Sequence, residues 1–260
     1  MPTPLTALIT GASAGIGEQL ANEFASHGHD LVLVARRKPA LQKIAERLRA
    51  QHGISVTVKA ADLSLPDAAQ TLHKALGKQH IDVLVNNAGV LNSGRFKHMD
   101  EAAIDNMMTL NIVALTQLCR TFIPAMVKRG KGKILNLASI AAFQPIPNLA
   151  VYAATKAYVL SLSEALSVEL ASKNVSVTAV CPGYTNTDML RGPVDAGKAS
   201  IPEFVMLAPE KVAADAYRAC MTGDVIKVPG IGYSAAISTT RVLPKWLVRK
   251  LTALGTGIKR

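Results

Sequence analysis

The sequence predicts an α/β fold, a three-layer αβα sandwich around a central parallel sheet of about seven strands. Three observations carry this. Short apolar runs of strand length alternate along the chain with longer segments whose apolar residues recur at helical spacing. A glycine-rich turn, Gly11-Ala-Ser-Ala-Gly15-Ile-Gly17, joins the first strand to the first helix. The 260 residues show no break in composition, which suits one large domain. Regular alternation of strand and helix places helices on both faces of a parallel sheet.

The elements follow in order. Leu5 to Thr10 is an apolar strand, and a helix runs from about Ile16 to His27. The strand Asp30 to Ala35 precedes a helix over Pro39 to Gln51. The third strand, Ser55 to Ala60, closes on Asp62-Leu63. A helix over about Pro66 to Leu76 leads to the strand segment IDVLVNNAG at 81–89, whose Asn86 and Asn87 are predicted to face a ligand crevice at the strand's C-terminal end. One long helix is expected over Glu101 to Arg129, with Asn111 inside it, its side chain available to backbone or water. The run KILNLAS ends at Ser139, a helix covers about 150–171, and a strand spans Val175 to Cys181.

Composition sets limits. Hydrophobic residues make up 49% and charged residues 18%, which fits a globular chain and excludes a disordered one. The opening MPTPLTALITG lacks the basic n-region of a signal peptide, and no uninterrupted apolar run reaches membrane-spanning length. Cys119, Cys181 and Cys220 are scattered and read as reduced packing residues of a cytoplasmic protein. The six histidines show no ligand spacing, so no metal site is predicted.

The chemistry concentrates at residues 139–156, SIAAFQPIPNLAVYAATK. Residues four apart on a helix share a face, so Tyr152 and Lys156 stand side by side, and Ser139 at a strand end can face both. A free phenol titrates near ~10, and a neighbouring cation is expected to lower that value and make Tyr152 a general acid or base. Ser139 would hold the same substrate oxygen in line. An isolated tyrosine–lysine pair at this spacing is also compatible with an ordinary surface pair.

Glycines after a strand let the backbone approach a pyrophosphate, and the helix N-terminus favours its charge. The spacing here is GxxxGxG. A dinucleotide site usually has an acidic residue at the end of the next strand to hold the ribose 2′-hydroxyl. Here Ala35 is neutral and Arg36 and Arg37 follow, a pattern suited to the 2′-phosphate of NADP(H) over NAD(H). The alternative is two solvated arginines opening a helix.

Taken together, TGASAGIG at 10–17, Asp62-Leu63, NNAG at 86–89, Asn111, Ser139, YAATK at 152–156 and PGYTNT at 182–187 resemble the short-chain dehydrogenase/reductase family over nearly the whole chain. The resemblance implies a Rossmann-like fold and NAD(P)-dependent oxidoreduction, with Asn111, Ser139, Tyr152 and Lys156 as catalytic tetrad. It implies that Lys156 lowers the tyrosine pKa and binds the nicotinamide ribose, and that Asn111 holds a water. It assigns cofactor contacts to Gly11, Ser13, Gly15, Ile16, Gly17, Arg36, Arg37, Asp62, Leu63, Asn87, Ala88, Gly89, Tyr152, Lys156, Pro182, Gly183, Thr185 and Thr187. Many NADP-preferring relatives carry a basic residue before the second glycine. Here that residue is Ala14, so the NADP expectation rests on Arg36, Arg37 and Ala35. More weakly, the style of the chain resembles the branch of long-chain 3-ketoacyl and 17β-hydroxysteroid reductases, which implies a lipophilic ketone.

Residues 184–208 read as a substrate loop, with Met189, Leu190, Ile201, Phe204, Val205, Met206 and Leu207 as apolar members. Tyr184, Leu91, Phe96, Phe143 and Asn148 are further candidates beside Ser139. The division expected is 1–237 as catalytic domain and 238–260 as a basic amphipathic extension. From Val225 to Arg260 there are seven basic residues and no acidic one, against a net charge of +11 for the chain. Such a helix can lie on an anionic membrane, cap the domain or join an interface. The family implies a homodimer or homotetramer built through helices at 101–129 and 150–171. No nucleic-acid partner is expected. A pI of about 9.7 leaves one alternative of another class, an NADP-binding redox regulator or nucleic-acid binder without turnover.

Overall fold

The computed structural model describes residues 4–191 and 203–255, so Ile201 lies outside the described residues. Among these, seven strands pair in parallel in the order β3-β2-β1-β4-β5-β6-β7. They are β1 (Thr6–Thr10), β2 (Asp30–Ala35), β3 (Val56–Ala60), β4 (Val83–Asn86), β5 (Gly132–Leu137), β6 (Val175–Val180) and β7 (Ile226–Lys227). The expected three-layer fold is present. The seventh strand is the two-residue β7, too short to leave a periodic signal.

Helices cover both faces: α1 (Gly15–Ser26), α2 (Lys38–His52), α3 (Ala68–Leu76), α4 (Glu101–Met108), α5 (Leu115–Arg129), α6 (Ala150–Leu170), α7 (Asp188–Arg191), α8 (Pro209–Thr222), α9 (Ile231–Val242) and α10 (Lys245–Gly255). Successive strand residues point to opposite faces. Leu8, Val32, Leu84 and Ile134 therefore pack under α3, α5 and α6, while Ile9, Leu33, Val85 and Leu135 pack under α1, α2 and α8. A sheet buried on both faces needs unbroken apolar strands, which is why these runs do not alternate with polar residues.

The helix expected over 101–129 is not uniform. Thr109–Ala114 is a π-helical turn with Asn111 in its middle, between α4 and α5. By length and a mean hydropathy of 1.4 this segment could cross a membrane. Instead Leu115, Leu118, Phe122 and Met126 join the core. Its outer side, with that of α6, leaves Met108, Val113, Tyr158 and Val168 exposed.

Asn86 corrects one sequence expectation. It is 3% exposed and does not face the crevice. Its Nδ2 donates to Asn136 Oδ1 at 2.8 Å, and Asn136 Nδ2 donates to Ser163 Oγ at 2.9 Å. Polar groups cut off from water need such partners. The chain stitches β4, β5 and α6 together beneath the site. The three cysteines are buried and none forms a disulfide; burial pushes the Cys119 and Cys220 thiols up to about 12.

Candidate active site

Strand order reverses between β1 and its neighbours β2 and β4, and open parallel sheets bind ligands beyond the strand ends at such a point. Thr10, the first residue of TGASAGIG, to which the sequence analysis assigns no role, is the hub there. Its Oγ1 donates to the Val85 carbonyl at 3.2 Å and accepts from the N–H groups of Asn87 and Ala88, both at 3.0 Å. Asn87 Nδ2 donates back to the Thr10 carbonyl at 2.8 Å. Gly11 has φ +67°, and a Cβ there would lie 2.8 Å from Asn87 Nδ2. At Gly17 a Cβ would fall 2.2 Å from the Gly11 carbonyl oxygen. Both glycines are thus required by packing between the glycine turn and the NNAG turn, while Gly15 faces Thr187.

These residues fit a dinucleotide. Ala14, the residue before α1, makes no side-chain cap, so the first-turn N–H groups of α1 have no side-chain acceptor there and suit a pyrophosphate. Ile16 packs its side chain against the core under α1. Arg36 and Arg37 are exposed at the end of β2. Arg37 Nη2 donates to the carbonyl of Ser13 at 3.1 Å and to its Oγ at 3.3 Å, which places the guanidinium on the glycine turn. Although Arg37 precedes α2, its side chain does not cap that helix. Asp62 Oδ1 accepts from Ser64 Oγ at 2.6 Å and Ser64 N at 3.0 Å. Chiefly through these bonds, and more weakly through the Arg36 charge, the carboxyl is held below the usual range. Leu63 is 6% exposed in the core, so its side chain is packing and only its backbone is available to a cofactor.

Tyr152 and Lys156 lie one turn apart in the first half of α6. Lys156 is 7% exposed, and its Nζ donates to the Leu137 carbonyl at 2.8 Å. Burial pushes its pKa down to about 8. Ser139, extended just past β5, hydrogen-bonds the Tyr152 phenol, and its Oγ also accepts from Ala141 N at 3.1 Å to cap the turn at Ile140–Phe143. The expected lowering of the phenol by lysine is not what this geometry gives. Loss of solvent raises the Tyr152 pKa, and only the Ser139 hydrogen bond opposes it. The ammonium stands 5.7 Å from the ring centroid and points at Leu137, too weakly directed at the phenol to outweigh burial.

Asn111 is buried, and its side chain is fully engaged. Oδ1 accepts from Val90 N at 2.9 Å, while Nδ2 donates to the Val90 carbonyl at 2.9 Å and to Thr155 Oγ1 at 3.2 Å. Thr155 Oγ1 in turn donates to the Tyr152 carbonyl at 2.8 Å. The π-turn therefore delivers Asn111 to the strand-end loop and ties that loop to α6. A Cβ at Gly89 would sit 3.0 Å from Asn111 Oδ1 and 3.7 Å from Lys156 Nζ, which brings Asn111, Lys156 and the NNAG turn into one place.

The substrate side is built from loops. Asn148 has φ +65° and its carbonyl accepts from Gly94 N at 2.8 Å, holding the segment of Leu91 against the turn after Phe143. Phe143 packs on the core and Phe96 is exposed. After β6, the Pro182 carbonyl accepts from Ile140 N at 3.0 Å, and Thr185 Oγ1 donates to the Gly183 carbonyl at 3.1 Å. Tyr184 and Met189 stand exposed. Phe204 and Leu190 are placed only by their backbone, in the short turns Glu203–Val205 and Asp188–Arg191. A second residue missed by sequence reasoning is Tyr233 of α9. Its hydroxyl accepts from Tyr184 N at 3.3 Å and donates to the Val205 carbonyl at 2.8 Å. Its ring occupies the space beside Gly183, where a Cβ would fall 2.4 Å away. One phenol thus clasps both stems of the substrate loop. It lay in a region read only for charge.

Size does not mark the site. A groove of about 610 Å³ lies at the opposite, N-terminal edge of the sheet, with Leu5, Asp82, Lys133 and Ser176 in its walls. No member of the tetrad lines it.

Comparison with known proteins agrees with this geometry. A family model described as short chain dehydrogenase matches residues 5–196. A short-chain dehydrogenase from Sphingobium yanoikuyae, solved with NADPH, superposes with a TM-score of 0.83 at 34% identity, covering 98% of this chain and 97% of that one. A 3-ketoacyl-(acyl-carrier-protein) reductase from Brucella melitensis, solved with NADH, gives 0.76 at 31% identity, covering 86% and 95%. The very-long-chain 3-oxoacyl-CoA reductase of Rattus norvegicus is 31% identical over 250 residues, covering 94% of this chain and 77% of the relative.

The buried lysine makes the unliganded protein's stability depend on pH. A folded-state pKa near 8 lies below the model-peptide value of 10.5. Between those values the unfolded chain binds the extra proton, so stability should rise with pH. Relative to Lys156→Met, the wild type is expected to gain stability in urea unfolding from pH 7 to pH 9.5. A flat or falling difference would show that the ammonium is not desolvated.

Proposed function

We propose, on the premise that the chain belongs to the short-chain dehydrogenase/reductase family, that it interconverts a lipophilic ketone of 3-ketoacyl type and its alcohol with NADP(H). The chain is an NAD(P)-dependent oxidoreductase; the substrate class and the preference for the phosphorylated cofactor are the proposal. The convergence of the Ser139 and Tyr152 hydroxyls, with the Lys156 ammonium buried behind them, carries the chemical reading. The nicotinamide, when bound, supplies or accepts the hydride.

In the reducing direction, Tyr152 donates its proton to the carbonyl oxygen, and Ser139 hydrogen-bonds that oxygen and fixes its direction. A phenol whose pKa burial has raised keeps its proton at neutral pH and is therefore ready as an acid. Lys156, whose ammonium donates to the Leu137 carbonyl, is placed to hold the nicotinamide ribose. With the Asn111 side chain committed to Val90 and Thr155, any water it holds falls to its main chain. Gly11, Gly15, Gly17, Asn87 to Gly89 and Pro182 to Thr187 would frame the dinucleotide. The lipophilic reading draws on exposed Tyr184 and Met189 at the loop, and on relatives named for acyl substrates.

The exposed Met108, Val113, Tyr158 and Val168 support a further proposal, that α4 to α6 pair two subunits. Light scattering of the wild type should give at least a dimer, and Val168→Glu should shift it toward monomer; a monomeric wild type would sink the idea.

Two experiments test the reaction. With NADPH and a medium-chain 3-oxoacyl-CoA, Tyr152→Phe is expected to lower turnover by about 10²-fold or more. NADPH affinity should change less than threefold, and an active variant would remove Tyr152 from the chemistry. In calorimetry, Arg36→Ala and Arg37→Ala should each weaken NADPH binding about tenfold while leaving NADH unchanged, a loss of the size expected for one charge-assisted contact. Equal loss for both cofactors would assign the arginines to the glycine turn instead.

A further inference from the structure

The C-terminal helices carry a surface that the reaction does not use. Helix α10 is seated by Val248, which is buried, while Trp246, Arg249 and Lys250 stand exposed. At 100° per residue, Arg249 and Lys250 fall within about 60° on either side of Trp246, and Val248 lies on the far side. The outward face is therefore an indole between two cations. Trp246 is the only tryptophan of the chain and is 60% exposed. No acidic residue follows Asp224 in the sequence, so the segment itself offers these cations no counter-ion. The ion pairs found among the described residues involve Glu18, Glu23 and Asp215, none of them on α10.

This combination selects among occupants. A face that only capped the domain would turn the indole inward. A second copy of the chain would bring cations against cations. A lipid surface suits both parts: an indole settles at headgroup level, and lysine and arginine keep their heads in the polar layer beside anionic lipids. We propose that α10 docks this protein on an anionic membrane surface, with Trp246 among the headgroups and Arg249 and Lys250 against lipid anions.

The placement has a consequence for the site. Helix α9, twelve residues long, leads directly from the Tyr233 clasp to α10. Ile231, at its start, is 93% exposed, next to Gly230, where a Cβ would lie 3.2 Å from Leu207. Docking through α10 thus holds the substrate side of the molecule within one short helix of the lipid surface.

Because the chain has a single tryptophan, its emission reports this face directly. The purified full-length protein is titrated with vesicles of phosphatidylcholine alone and with vesicles containing 30% phosphatidylglycerol, in low and high salt. A blue shift and flotation with the anionic vesicles, both reversed by high salt, are expected. Arg249→Glu combined with Lys250→Glu should weaken partitioning by about tenfold or more, with NADPH affinity retained as evidence of folding. Trp246→Ala should reduce flotation as well. Any of three results overturns the proposal: no flotation with anionic vesicles, equal flotation with neutral ones, or a charge-reversed variant that floats like wild type. Binding to a duplex DNA probe without binding to vesicles would transfer the surface to nucleic acid and reject the lipid reading.

Discussion

A lysine ammonium held almost out of water is the constraint on which this molecule turns. Removing the charge from solvent is costly unless the protein supplies partners. The partner here is the carbonyl of Leu137, the last residue of β5, so the end of the strand and the second turn of α6 are locked to each other. That lock puts Tyr152 one turn back along α6 and Ser139 two residues past the strand, where their hydroxyls meet. The three functional groups are therefore products of one packing decision. Moving α6 by a turn would strand the ammonium as well as dismantle the site.

Around this centre the polar interior is organised in shells that join elements distant in sequence. Below it, Asn86, Asn136 and Ser163 tie β4, β5 and α6. Beside it, Asn111 reaches from a π-turn to Val90 and Thr155. An extra residue in a helical turn is an uncommon arrangement, often found where function demands a displaced side chain. On the cofactor side, Thr10 and Asn87 exchange hydrogen bonds so that the glycine turn and the NNAG turn form one rigid rim. A rim cross-braced in this way is a scaffold that positions chemistry at the strand ends.

Much of this was legible in the sequence. Strand runs such as Leu31 to Val34 are apolar because both faces are covered, and Gly11 and Gly17 stand where packing forbids a Cβ. The Ser139, Tyr152 and Lys156 spacing anticipated their meeting. What could not be read were effects of tertiary direction. Asn86 and Asn87 are neighbours of one type, yet strand alternation sends the first inward and the second to the rim. The sign of the tyrosine shift depends on whether burial or the cation dominates, which spacing cannot weigh. Leu63 shares a motif with Asp62 but turns its side chain into the core. Thr10 and Tyr233 belong to no charge pattern or periodicity; only their partners, 75 and 49 residues away, reveal them.

Gly183 and Tyr233 couple regions of the chain that look independent. The usual reason for a glycine in such a loop is that a ligand must approach the backbone. Here the missing Cβ also leaves room for an aromatic ring fifty residues on, and that ring closes the two stems of the substrate loop. No side chain fits at 183 while the ring stays where it is. A side chain at 183 would need a smaller residue at 233, and with it the clasp made by the Tyr233 hydroxyl would be lost. The pair is one steric unit written in two places, the backbone at 183 and the ring at 233 sharing a single volume.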